Sequence, residues 1–100
     1  MFFVDLGGII IEDDVLIGPF ARLITVNHLV DYDYRRGLNV DPIVVKKNAW
    51  IGSNVTILPG ITIGENSIIA ADSTVTKDVP DNVIVAGSPA TIFRTIREQR

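Results

Sequence analysis

An aliphatic residue recurs at every sixth position through the second half of the chain, and this period constrains the fold more than any other feature. The series consists of Val45, Ile51, Ile57, Ile63, Ile69 and Val75. Val and Ile make up 27 of the 100 residues, so chance would fill one chosen register about 4 times in 10,000. An earlier block has the same spacing, at Ile11, Ile17 and Leu23. A short fixed period of this kind is typical of solenoid folds.

Residues that tolerate a left-handed backbone stand three positions after the aliphatic ones. They are Asn48, Asn54, Gly60, Asn66, Asp72 and Asp78, with Asp14 in the earlier block. Gly, Asn and Asp favour tight corners. Each unit of six therefore predicts one short strand and one corner, with the aliphatic side chain packed inward against neighbouring coils. Antiparallel hairpins are the alternative, and they would show alternation at period two with turns about every 8–12 residues.

The repeat is interrupted between Leu23 and Val45, because the step from 23 to 45 is not a multiple of six. The intervening segment is polar and aromatic, and its base holds His28, the single histidine of the chain. Long excursions inside a compact domain are uncommon unless they are functional or disordered. Because histidine titrates near neutral pH, we expect a functional loop over about 27–44, with a plain solvated loop as the alternative.

The end of the chain has the pattern of a short helix. The Ser-Pro pair at 88–89 suits an N-cap and a first helical position. Ile92, Phe93 and Ile96 then fall on one helical face, and arginines follow toward the C-terminus, where cations suit the helix dipole. The sequence therefore predicts a helix over about 89–99.

Composition excludes several classes of function. The formal net charge is −3, and no basic patch of the kind that nucleic-acid binding needs is visible. The lack of cysteine excludes disulfides, thiolate metal sites and a cysteine nucleophile. No signal peptide or membrane-spanning run is recognisable. We therefore expect a cytoplasmic protein with one domain, residues 1–100. Its core is small, and oligomerisation would help to stabilise it.

Three segments resemble the maltose and galactoside O-acetyltransferases, a subfamily of the hexapeptide-repeat transferases. Residues 48–55 are similar to the signature N-x-W-I-G-x-x-V, residues 75–80 to V-T-K-D-V/I-P, and residues 86–90 to A-G-x-P-A. The resemblance implies an all-β, left-handed parallel β-helix with an inserted loop and a short C-terminal helix. It also implies a homotrimer with active sites between subunits. The left hand comes from the resemblance alone, because parallel crossovers are ordinarily right-handed.

The resemblance implies transfer of an acetyl group from acetyl-CoA to a hydroxyl of a sugar or a similar small acceptor. His28 matches the family's catalytic base, a role that suits an imidazole with an ordinary pKa of about 6.5. Ser53 matches a position whose backbone N–H faces the thioester and stabilises the oxyanion, although a plain turn serine is the alternative. A serine-nucleophile mechanism would need a G-x-S-x-G elbow, which Gly52-Ser53 does not fit.

Three further residues match family positions along the path of coenzyme A, and a fourth is a candidate for its phosphates. Ala71, Thr76 and Lys77 correspond to positions beside the pantetheine arm and the nucleotide, and Lys77 and Arg94 would meet the phosphates as cations. Solvated surface charges are the alternative for Lys77 and Arg94. Thr91 replaces a family arginine, which bears on how the nucleotide phosphates are held.

Two residues are implied on the acceptor side. Trp50 would line the pocket beside the acetyl group, or else pack between subunits. Asp5 lies near an acidic position that contacts the acceptor in the family. Relatives carry a substantial region before the segment that matches Met1 onward, so part of the acceptor pocket is expected from outside these residues.

Three other functions remain as alternatives. A zinc enzyme of the γ-carbonic anhydrase type shares the hexapeptide pattern, but its sites need three histidines and this chain has one, so no metal is expected. A truncated, non-catalytic β-helix kept for assembly is the second. The third is a related acyltransferase that acts on an antibiotic or an amino acid, because acceptor choice would lie in the loop and in the preceding region.

Overall fold

The computed structural model describes residues 2–4, 8–28, 38–40 and 42–96, with side chains described over 8–25 and 42–96. This part of the chain consists of strands and corners, and it contains no helix long and apolar enough to cross a membrane. The strands are β1 Phe2–Val4, β2 Ile9–Ile11, β3 Leu16–Ile17, β4 Arg22–Ile24, β5 Val26–His28, β6 Leu38–Val40, β7 Ile43–Val45, β8 Trp50–Ile51, β9 Thr56–Ile57, β10 Thr62–Ile63, β11 Ile68–Ile69, β12 Thr74–Val75, β13 Val83–Gly87 and β14 Ala90–Thr95.

Parallel pairing fixes the length of one coil at three units of the repeat. Val44 of β7 pairs with Thr62 of β10, and Trp50 of β8 pairs with Ile68 of β11, so each strand meets the strand three units further on. Successive coils therefore stack and build three sheets. We call them face A (β1-β4-β9-β12), face B (β10-β7-β2) and face C (β14-β13-β11-β8-β3).

The six-residue series forms the core of this solenoid. All six of its aliphatic side chains are at most 1% exposed, and the Asn, Asp or Gly three positions later has φ between 57 and 78° in the first five units. Asp78 differs, because the last coil is shorter: Ile63 bridges Val79, two positions short of three full units. The stacked coils expected from the period are confirmed, and the alternative of hairpins is wrong for the repeat from Val45 to Val75.

The insertion is visible in the strand register. Leu16 of β3 pairs with Trp50 of β8, whereas Trp50 itself pairs with Ile68 of β11, so the coil that contains the interruption is almost twice as long as the next one. Within it, β5 and β6 pair antiparallel, with His28 opposite Leu38. His28 therefore lies on a hairpin that follows directly from β4 on face A.

The predicted helix over about 89–99 is wrong for the residues that the structure describes there. Ala90–Thr95 form β14, antiparallel to β13, with the Ser-Pro pair in the short turn between them. Thr, Ile and Phe favour strands, and β13 offers an unpaired edge that a short isolated helix could not use. Residues 97–99 of that prediction lie outside the described residues.

Candidate functional site

Four short backbone segments stack along one corner of the solenoid, between faces C and A. We call them the corner column; they are residues 18–20, 52–54, 70–72 and 86–88. The second segment is tied to its neighbours by backbone bonds: Asn54 N–H donates to the Pro19 carbonyl at 3.0 Å, and Asp72 N–H donates to the Ser53 carbonyl at 3.0 Å. The column therefore holds its peptide groups in a fixed relation from coil to coil.

Glycine is required at positions 18 and 52 of this column because the coils approach closely there. A Cβ on Gly18 would lie 2.8 Å from the Ser53 nitrogen, and a Cβ on Gly52 would lie 2.8 Å from the Ala71 nitrogen. Both distances are well inside van der Waals contact, and the obstructing atoms are backbone. The glycines thus place the peptide nitrogens of Ser53 and Ala71 directly against the preceding coil.

Ser53 and Ala71 each have a backbone N–H that donates to no other residue in the described part of the chain. Both residues are exposed, and they stand at the same place on consecutive coils. Their neighbours in sequence are satisfied: the N–H groups of Gly52, Asn54 and Asp72 all bond to carbonyls of adjacent coils. The corner column therefore offers two free donors, one above the other.

The other two coils of the corner column do not share this property, although the N–H groups of Lys77 and Asp13, at the equivalent place of other corners, also donate to no described residue. At the next coil of the column, Gly87 N–H donates to Ser73 Oγ at 3.1 Å, and Pro19 in the first coil has no N–H. At another corner, the N–H groups of Lys47 and Glu65 donate to carboxylate oxygens at 3.0 and 2.8 Å. The free donors of the corner column are therefore limited to the two coils where the sequence predicted cofactor contacts.

Thr76 and Lys77 lie at the next corner of the same coil as Ala71, and both are exposed. They line a groove of about 370 Å³ whose other wall includes Thr91 of β14. Arg94 is exposed on the same strand, opposite Ile84, and is not part of that lining. The structure thus brings Thr76 and Lys77 together and leaves Arg94 on the neighbouring surface of β14.

Trp50 lies on the outer side of face C, in one row with Leu16 and Ile68. Its side chain is 53% exposed, and it lines an open groove of about 770 Å³ together with Asn48 and Asn66. This groove shares no lining residue with the groove that Thr76 and Lys77 line. Within residues 8–25 and 42–96, no group of three or more His, Asp or Glu is placed to hold a metal ion.

Two predicted site residues are not placed by the structure. The backbone of His28 is described in β5, but its side chain lies outside the described residues. Asp5 lies outside them altogether. The roles of a base for His28 and of an acceptor contact for Asp5 therefore stay predictions.

Sequence reasoning treated the corner asparagines as backbone residues and missed their side-chain bonds. Asn54 Nδ2 donates to Asp72 Oδ1 at 2.8 Å, and Asn48 Nδ2 donates to Asn66 Oδ1 at 2.8 Å. These ladders run from coil to coil. The signal that would have revealed them is the recurrence of an amide or carboxylate at every third unit of the repeat.

Residues 42–77 match the family model described as bacterial transferase hexapeptide, six repeats. The galactoside O-acetyltransferase of Escherichia coli strain K12 is 45% identical over 91 residues, which cover 89% of this chain and 45% of the relative. A solved galactoside acetyltransferase in complex with coenzyme A has a TM-score of 0.89 at 44% identity, covering 95% of this chain and 48% of that one.

A maltose O-acetyltransferase from Clostridium difficile 630 has a TM-score of 0.84 at 37% identity, with 97% of this chain and 57% of that chain covered. The resemblance seen in residues 48–55, 75–80 and 86–90 is therefore confirmed. The chain spans about half the length of the curated relatives it matches.

Proposed function

We propose that this chain, a hexapeptide-repeat protein related to the galactoside and maltose O-acetyltransferases, forms the acetyl-CoA-binding part of an O-acetyltransferase. It would transfer an acetyl group to a hydroxyl of a sugar or a similar small acceptor. The observation that carries the proposal is the pair of free N–H groups at Ser53 and Ala71. They lie in a fold that holds coenzyme A in a solved relative.

The Ser53 N–H supplies what the tetrahedral intermediate needs. As the acceptor hydroxyl attacks the thioester carbon, negative charge develops on the carbonyl oxygen, and a fixed backbone donor there lowers the barrier. His28 takes the proton of the attacking hydroxyl and returns it to the departing sulfur of coenzyme A. The products are the acetyl ester and free coenzyme A, so the enzyme returns to its starting protonation state.

The remaining predicted contacts continue away from the thioester. Ala71 N–H, one coil on, would donate to an amide carbonyl of the pantetheine arm. Thr76 and Lys77 line the groove at the following corner, where the Lys77 ammonium would meet phosphate. Arg94 would add a second cation from β14, with the guanidinium geometry that suits phosphate.

The finer features of the proposal concern assembly. We expect a left-handed coil and a homotrimer, as the sequence resemblance implies, and a cytoplasmic location remains the expectation from the sequence. Exposed apolar side chains on face C support an assembly, since Leu16 is 62% and Trp50 53% exposed, and such patches commonly mark contact surfaces. A neighbouring copy over this face would place Trp50 between subunits, beside the acceptor, and Asp5 would contact that acceptor.

A panel of acceptors tests the function. The chain is incubated with acetyl-CoA and galactosides, maltose, an amino acid or an aminoglycoside, and the free thiol of coenzyme A is followed. We expect thiol release with a sugar hydroxyl, and a loss of about 10²–10⁴-fold in kcat for His28→Asn with coenzyme A binding retained. Turnover only with an amine acceptor would favour the related transferase. No turnover together with no coenzyme A binding would favour a non-catalytic assembly protein.

A further inference from the structure

Phe20 is an exception among the corner residues. Its φ is 64°, in the positive-φ region that the described residues otherwise reserve for glycine and short polar residues, such as Asn54 and Asp72 in the same column. A bulky side chain is rarely found there, because the conformation is strained for it. The Phe20 ring is also 70% exposed. The first coil of the corner column thus carries strain where the next two coils carry an asparagine and an aspartate.

Phenylalanine also interrupts the ladder of side-chain bonds. In the next coil of the column, the corner amide donates to the residue one coil further on: Asn54 Nδ2 donates to Asp72 Oδ1 at 2.8 Å. Phe20 has no donor for Asn54 Oδ1. That oxygen instead accepts a hydrogen bond from Arg22 Nη2 at 2.8 Å. Arginine therefore supplies the bond that the corner residue lacks.

Arg22 is itself an exception, at the neighbouring position of the same coil. Thr56 and Thr74 occupy its place in the next two coils. The guanidinium uses its fork of donors: Nε donates to Thr56 Oγ1 at 3.0 Å and Nη1 donates to the Phe20 carbonyl at 3.1 Å. The two departures from the repeat, Phe20 and Arg22, thus occur together. Arg22 donates to Asn54 Oδ1, the acceptor to which Phe20 offers no donor.

The ladder passes directly beside the free donors. Asn54 follows Ser53 and Asp72 follows Ala71, and Asp72 N–H also donates to the Ser53 carbonyl at 3.0 Å. We propose that Arg22 is a positioning residue for acyl transfer, taking the donor role that Phe20 cannot fill and holding the Ser53 peptide in place through Asn54. The proposal rests on the proposed function, because it gives the Ser53 N–H a task in the reaction.

Replacing Phe20 and Arg22 by the residues that the next coil has at their places tests the proposal. Arg22→Thr copies Thr56, and Phe20→Asn copies Asn54. We expect Arg22→Thr to lower kcat about tenfold or more, because small displacements of a catalytic donor are costly, with KM for the acceptor changed less than about twofold. The double variant Phe20→Asn/Arg22→Thr rebuilds the ladder and should recover kcat to within about threefold. Rates are counted per coenzyme A-binding site.

Glu12→Ala is the matched control. It removes another bond between the same two coils, from Lys47 N–H to Glu12 Oε1 at 3.0 Å, at a different corner. Its kcat should stay within about twofold of the wild type. A loss in Glu12→Ala equal to that of Arg22→Thr, or a double variant as slow as Arg22→Thr alone, would overturn the proposal.

Hydrogen–deuterium exchange separates this inference from the proposed function, because it needs no turnover. The amides of Asn54 and Asp72 should exchange faster in Arg22→Thr and return to wild-type rates in the double variant. Unchanged exchange in Arg22→Thr would refute the role of Arg22 even in an active enzyme. If the wild type binds no coenzyme A and transfers no acetyl group, the proposed function fails, while the exchange rates still decide whether Arg22 holds the ladder.

Discussion

Ser53 contributes to the proposed site through its backbone N–H. Removing the N–H and removing the side-chain hydroxyl should therefore have different effects on the rate. Pro19 and Pro59 stand at the same place in other units of the repeat, which shows that this backbone accepts proline. Ser53→Pro removes the N–H and should lower kcat by about 10²–10³-fold, the usual loss for one oxyanion donor. Steady-state kinetics with acetyl-CoA and the best acceptor measure the effect.

Ser53→Ala is the control, because it keeps the N–H and removes only the hydroxyl. We expect its kcat to stay within about threefold of the wild type. If alanine is as damaging as proline, then the hydroxyl and not the peptide group is what the reaction uses. Circular dichroism of both variants establishes that the coil is retained.

Resemblance named Ser53, Thr76 and Lys77 as candidates because they lie in short linear motifs, at residues 48–55 and 75–80. The role of Arg22 was not predictable in that way. Its partner Asn54 is 32 residues away in sequence, across an insertion that breaks the register, and Arg22 supplies a bond that Phe20 cannot donate. A side chain that compensates for a change elsewhere leaves no periodic signal of its own.

The single coil is the element on which the site depends, and Gly18 and Gly52 mark the close approaches between coils in the corner column. Gly52→Ala would put a Cβ 2.8 Å from the Ala71 nitrogen, which must move the two coils apart. Forcing extra atoms into a packed site costs about 1–3 kcal/mol. We therefore expect the free energy of unfolding, measured by urea denaturation, to fall by that amount.

Ala70→Gly is the control for this variant, since Ala70 stands at the equivalent place one coil on. There the chain already accommodates a Cβ, so the substitution should cost no more than about 1 kcal/mol from backbone entropy. If Gly52→Ala unfolds at the same urea concentration as the wild type, the close approach of the coils is not a constraint on the folded state.

Elements differ in how far the sequence determines them. The coils were predictable because each inward residue is fixed by its own place in a period of six, independently of distant partners. β14 was not, because Ile92 and Phe93 fit a helical stripe and a strand equally well. Pairing with β13 decides between helix and strand, because its open edge bonds to these residues. That edge exists only once the coils have stacked.

At the scale of the whole molecule, the coils form a short stack: face C, the sheet with the most strands, has five, which at a spacing of about 4.8 Å gives a height of about 20 Å. A stack this small has no room for an acceptor within its own packed core, so the proposed acceptor pocket would be completed from outside the described coils. The proposed trimer, the hairpin of β5 and β6 and the region that longer relatives carry would each supply a wall. The corner column provides the fixed side against which those walls close.

Coordinates of the protein crystallised with a non-reactive acetyl-CoA analogue test the central claim most directly. We expect the analogue's carbonyl oxygen about 3 Å from the Ser53 nitrogen, the pantetheine arm alongside Ala71, and the phosphates beside Lys77. The account would be contradicted if the coenzyme occupied the groove lined by Trp50, or if it bound with the N–H groups of Ser53 and Ala71 both left free.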